Sequence, residues 1–162
     1  MRKALTIMTM AVAVVALSAT AAFAQNPHFL RASANVDGSG NLVGSFRIAG
    51  LGNNETITVT LSADATAQYA CFNNGGKHPA ATNKETVTAP VSASGEFTSG
   101  KNGSVTGTLS TPPPGPGDFT CPPGQTMVFT YVQYSNVSIT ADTAEGTVSS
   151  DVSGTFTFGS LV

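Results

Sequence analysis

The chain has no tryptophan, two cysteines, two histidines and only seven basic residues in 162. Each shortage narrows the functions open to the chain. Without tryptophan, any flat platform for sugar rings falls to Tyr69, Tyr131 and Tyr134. Tyr131 and Tyr134 point to opposite faces if they share a strand, because strand side chains alternate, and Tyr69 reads as core. With His28 and His78 the only imidazoles, general bases are scarce, and no serine sits in a Gly-x-Ser-x-Gly elbow. No catalytic residue is assigned. The cysteines lack Cys-x-x-Cys spacing, so no metal is expected. Gly75-Gly76-Lys77 lacks the leading glycine and the following hydroxyl residue of a phosphate loop, and no other cofactor motif is present. Sparse cations argue against nucleic acid and anionic membranes as partners, since both select basic clusters.

What is there begins with a leader. Arg2-Lys3, an apolar run over 4–16 and Ala22-Phe23-Ala24 before Gln25 have the order of a secretory signal peptide, so residues 1–24 are expected to be cleaved. The apolar run is shorter than the roughly 20 residues of a spanning helix. No cysteine follows the cleavage site to take a lipid. The mature chain, 25–162, therefore reads as one secreted or periplasmic domain with no membrane insertion after signal removal. It keeps Arg31, Arg47, Lys77, Lys84 and Lys101, scattered along the chain, against nine acidic residues. In an oxidising compartment Cys71 and Cys121 read as a disulfide. Closing a loop of about 50 residues is worth roughly 4 kcal/mol by chain-entropy arithmetic.

Helix periodicity is absent from the mature chain, and alternation takes its place. Strands are expected at 29–36, at 42–48 with Leu42, Phe46 and Ile48 inward, and at 57–61 with Ile57, Val59 and Leu61 inward. A fourth carries Ala65, Ala67, Tyr69 and Cys71 on one side. A fifth carries Val87, Ala89 and Val91, with Pro90 marking an edge. Gly100-Lys101-Asn102-Gly103 reads as a hairpin turn between 96–98 and 104–110. The stretch 127–140 is long and bent near Ser135-Asn136, and Val148, Val152, Phe156 and Phe158 share a parity. Eight or nine short strands with Gly- and Asn-rich turns predict a single antiparallel, immunoglobulin-like β-sandwich with one disulfide.

Two connections, 73–83 and 111–125, are longer than hairpins, and each borders or holds one of the cysteines. Long loops on a rigid scaffold commonly carry function. Asn73, Asn74, Lys77, His78 and Phe119 are therefore the candidate binding residues, with Phe119 either an exposed anchor or tucked beneath its loop. The motifs Gly50-Leu51-Gly52-Asn53, Cys71-Phe72-Asn73-Asn74-Gly75-Gly76 and Cys121-Pro122-Pro123-Gly124-Gln125 together resemble a family of small secreted bacterial proteins with no known activity. The resemblance implies an extracytoplasmic location and no particular chemistry.

Other constellations have plainer readings. The acids are spread through turns and solvent-facing positions, and no spacing pairs them for glycosidase chemistry. Asp37-Gly38-Ser39-Gly40-Asn41 imitates the start of a calcium loop, but Leu42 stands where its glycine belongs and Ile48 where its glutamate belongs. A hairpin turn explains the same residues. A membrane barrel is disfavoured by short strands and by outward faces of Thr, Ser and Gln. The sequence thus predicts a non-enzymatic binding or structural module whose partner is an extracytoplasmic protein or glycan. The opposing reading is a small hydrolase or a carbohydrate-binding protein with its site at the disulfide end.

Overall fold

The computed structural model describes residues 25–73 and 83–161. The signal segment 1–24 lies outside the described residues. Eight strands are described: β1 (His28–Val36), β2 (Leu42–Ala49), β3 (Thr56–Asn73), β4 (Lys84–Thr98), β5 (Val105–Thr111), β6 (Gln125–Thr143), β7 (Gly146–Val152) and β8 (Phe156–Gly159). They form two antiparallel sheets, β1-β2-β5 and β4-β3-β6-β7, with β8 also paired to β6. At one side of the sandwich β4 lies against β5, and at the other β1 lies against β7 and β8. The all-β, disulfide-linked sandwich is the one its alternation predicts. Strands β1-β2-β5 and β3-β6-β7 follow the order of a constant-type immunoglobulin domain, but there the fourth strand lies beside the fifth. Here β4 pairs β3, in the other sheet.

The strands are longer than expected. The predicted third and fourth strands are one 18-residue strand, β3, and the fifth continues through Phe97 as β4. Ser62-Ala63-Asp64 does not end β3, because the inward row runs unbroken from Ile57 to Cys71. The strain of so long a pairing is taken up on β6 instead. Between Ser62 and Asp64 the partners step from Ser138 to Ser135, and between Gln68 and Tyr69 from Tyr131 to Phe129. Each step leaves one extra residue on β6, and an extra residue reverses which face the following side chains meet. The inward set on β6 accordingly changes parity twice, from Ile139 and Val137 to Tyr134 and Val132 and then to Phe129 and Met127. Asn136, at the first of these bulges, takes a left-handed φ of 50°.

The core lies between the sheets. Leu42, Phe46 and Ile48 from β2 face Ile57, Val59 and Leu61 from β3 and Val132, Tyr134, Val137 and Ile139 from β6, all essentially inaccessible to solvent. Burying each such aliphatic side chain contributes about 1.5–3 kcal/mol. Phe46 and Phe97 meet edge to face across the sheets, with ring centroids 4.9 Å apart. Gly107 makes this possible, since a Cβ there would fall 2.6 Å from the Phe46 ring. Outward positions carry Thr, Ser, Asn and charge, the reverse of the apolar-out order of a membrane barrel.

The Asn102-Gly103 turn is present, with the Gly103 amide bonded to the Gly100 carbonyl. It is not a hairpin. Its flanking strands β4 and β5 belong to different sheets, because β5 finds its partner in β2. The turn is held from outside by the Leu51 amide, which donates to the Gly103 carbonyl. Beside it, buried Ser99 accepts from the Glu55 amide and donates to the Gly52 carbonyl. The Glu55 carboxylate in turn accepts from the amides of Gly52 and Ala144. One acidic side chain thus joins the β2-β3 and β6-β7 turns at the end of the sandwich remote from the disulfide.

Candidate functional site

At the disulfide end the structure joins Cys71, at the foot of β3, to Cys121 in the β5-β6 loop, with Cα atoms 5.6 Å apart. Such bonds form and persist in oxidising, extracytoplasmic compartments. The Pro-rich loop is tied down elsewhere too. The Tyr69 hydroxyl donates to the Pro114 carbonyl at 2.8 Å, and Asn83 Nδ2 donates to Gln125 Oε1 at 3.2 Å. Phe119 is partly buried and packs against the core, so it helps to close this end of the sandwich. Asn73 ends β3 opposite Gln125 and is exposed. Asn74, Lys77 and His78 lie outside the described residues. The arrangement therefore brings together the cysteines, Asn73 and the tucked Phe119, and it favours a structural role for the 111–125 loop.

The other distinctive residues near this end also serve the fold. Asp37 accepts hydrogen bonds from the amides of Ser39 and Asn41 and from Asn41 Nδ2, at 2.8–2.9 Å. These donors, the Asn41 side chain foremost, hold its carboxyl below the usual aspartate value. The residues that imitate a calcium loop are thus a closed hairpin turn. Tyr134, fully buried, donates to the Gly40 carbonyl of that turn at 2.7 Å, and burial pushes its phenol up to about 12. Burial also raises the Tyr69 phenol. At the opposite end His28 opens β1, with Nδ1 2.7 Å from the Asn26 carbonyl oxygen. Among the described residues no three His, Cys, Asp or Glu side chains gather at one place.

Two outer faces remain. That of β3 and β4 is a ladder of hydroxyl pairs, Thr56 with Thr98, Thr60 with Ser94 and Thr66 with Thr88, at 2.8–3.1 Å. Cross-strand pairs of this kind stabilise a sheet by about 0.2–1 kcal/mol each. Their hydrogen-bonding capacity is partly spent on one another.

The outer face of β1-β2-β5 is different. A shallow groove of about 710 Å³ crosses it, lined by Arg31, Ser33, Asn35, Ser45, Arg47 and Thr106, among others. Arg31 stands directly opposite Arg47, and Thr106 opposite Arg47 on its other side; Ser33 and Ser45 form the next row. Leu30, the extra residue of a bulge between Phe29 and Arg31, stands at the rim with 54% of its surface exposed. The sequence places Arg31 and Arg47 among scattered cations, whereas the fold makes them neighbours. The signal that reveals this is the hairpin turn. Arg31 lies five residues before Val36 and Arg47 five after Leu42, the pair that closes the turn. The chain matches no protein-family model and no curated protein.

Proposed function

We propose that the mature chain is a secreted or periplasmic, non-enzymatic module that binds an extracytoplasmic glycan on the outer face of β1-β2-β5. The groove across that face carries the reading. Its serine and threonine hydroxyls, asparagine amide and guanidiniums are the donors and acceptors a hydroxyl-rich chain requires, and its open, strand-lined floor suits a ligand laid across the surface better than a small buried one. The sheet beneath is a rigid support, backed by Phe46, Ile48 and Leu42 in the core. The signal-peptide pattern of residues 1–24 and the Cys71–Cys121 disulfide support the extracytoplasmic location. The disulfide end, which the sequence favours, is on this view the clamp that stiffens the sandwich.

The test uses mature, oxidised protein recovered from the periplasm and the culture medium, applied to immobilised envelope polysaccharides and to a broad hydrolase panel. Binding without turnover is expected, lost when Ser45→Trp fills the groove and kept when Thr58→Ala alters the opposite sheet. Reproducible hydrolysis would overturn the non-enzymatic reading. Binding untouched by Ser45→Trp would remove the groove from it.

A further inference from the structure

We infer that the groove recognises an oxyanion, a carboxylate or phosphate borne on the glycan, held between Arg31 and Arg47. This rests on the reading of that face as a glycan surface. Directly opposed side chains on paired strands have Cβ atoms about 4.5–5.5 Å apart, and like charges so placed destabilise a sheet. Among the described residues, the strands of the pair's own sheet offer no carboxylate in compensation. None of the three strands of the sheet carries an aspartate or glutamate. The acids of the paired strands sit elsewhere, with Asp64, Glu85, Glu96, Asp142 and Asp151 all exposed on the other sheet. A net-negative chain thus sets two guanidiniums side by side on an acid-free face.

Guanidinium forks match the oxygens of carboxylate and phosphate two at a time, and a ligand oxyanion between them would relieve their repulsion. Thr106, Ser33 and Ser45 place hydroxyls beside the pair for neighbouring sugar oxygens. The bulge at Leu30 adds a second feature of a built site, since bulges re-aim side chains and here one turns an aliphatic group out at the groove's rim. Leu30 would cover the apolar C–H face of a bound ring.

The experiment titrates the mature protein with oligogalacturonate, polyphosphate and neutral dextran at low and physiological salt. One of the two polyanions is expected to bind well above dextran and to weaken with salt, and which one it is names the oxyanion. Arg31→Gln or Arg47→Gln should each weaken that binding at least tenfold, and Arg47→Lys, which keeps charge but not the fork, by an intermediate factor. Lys84→Gln, the same charge change on the other sheet, should alter it less than twofold. Without ligand, the two Gln variants should melt at or above the wild-type temperature, because a repulsion has been removed. Equal losses in Lys84→Gln, undiminished binding in the Arg variants, or lower melting in both would overturn the inference. So would self-association abolished by Arg47→Gln, which would assign the face to the acidic sheet of another copy. Binding of dextran alone, still blocked by Ser45→Trp, would overturn the oxyanion while leaving the glycan module standing; binding of none of the three polymers would remove both.

Discussion

Replacing Tyr134 by Phe removes one oxygen from the largest fully buried side chain among the described residues. That hydroxyl donates to the Gly40 carbonyl at 2.7 Å, so it fastens the central strand of one sheet to the hairpin turn of the other. The Gly40 carbonyl would lose a partner where water does not replace it. Leaving buried polar groups unsatisfied costs about 1–3 kcal/mol. At roughly 2.1 cal/mol/K of unfolding entropy per residue, each kcal/mol lowers the melting temperature of a domain this size by about 3 °C. A fall of about 3–9 °C at pH 7 is expected by calorimetry. The variant should also behave differently in alkali. The native phenol ionises near 12, above its ordinary value of 10, so its contribution is complete below pH 10 and lost as pH rises toward 12. Tyr134→Phe should therefore lose part of the wild-type alkaline destabilisation, with Tyr69, raised in the same direction, supplying what remains. Melting within 1 °C of wild type at pH 7, with an unchanged alkaline limb between pH 9 and 11, would refute the reasoning.

Three further outcomes follow from the same contacts. Cys71→Ala with Cys121→Ala should lower stability by about 2–4 kcal/mol in urea unfolding, since the open chain regains the freedom of a 50-residue loop. Gly107→Ala should cost about 1–3 kcal/mol by overpacking, because its Cβ would press on Phe46 and Phe97; its melting temperature should recover in part when Phe97→Leu is added. Asp37→Ala should lower the melting temperature at pH 7 by releasing the turn. Because the native carboxyl sits below its ordinary value, that stabilisation is present above the aspartate range and lost as pH falls through the native pKa, so wild type and variant should converge in acid.

Most of the fold was legible because its signal is local. Ile57, Val59 and Leu61 alternate with threonines, and the same inward row continues through Ala65, Ala67 and Tyr69 without a break. That row reads as two strands when it is broken between Leu61 and Ala65, whereas the irregularity belongs to the partner strand. Bulges on β6 depend on how β3 and β6 twist against each other, which no single segment records. Only the bend near Asn136 showed through, because asparagine tolerates the left-handed conformation it adopts there. The Asn102-Gly103 turn misled for a related reason. A tight turn reverses the chain but does not choose its partner, and β5 buries Val105 and Leu109 better by pairing β2 than by returning along β4.

The candidate site illustrates the harder limit. Cysteines, prolines and a long loop draw attention to the disulfide end because such residues are individually conspicuous, yet Phe119 packs inward and the loop is bound to Tyr69. Arg31 and Arg47 are individually ordinary, 16 positions apart in a chain where cations look scattered. Their meaning lies in the register, which the turn at Asp37–Asn41 sets: equal counts from Val36 and Leu42 bring them face to face. Shifting that register by one residue would send one of the two side chains toward the core, where an unpaired guanidinium cannot be accommodated, so the fold holds the pair on the outside by the same pattern that buries Phe46 and Ile48. A sheet selected for stability alone has simple ways to avoid opposing two like charges on an otherwise neutral face, a single Arg→Thr among them. Keeping both arginines there is consistent with a ligand, outside the chain, that supplies the missing negative charge.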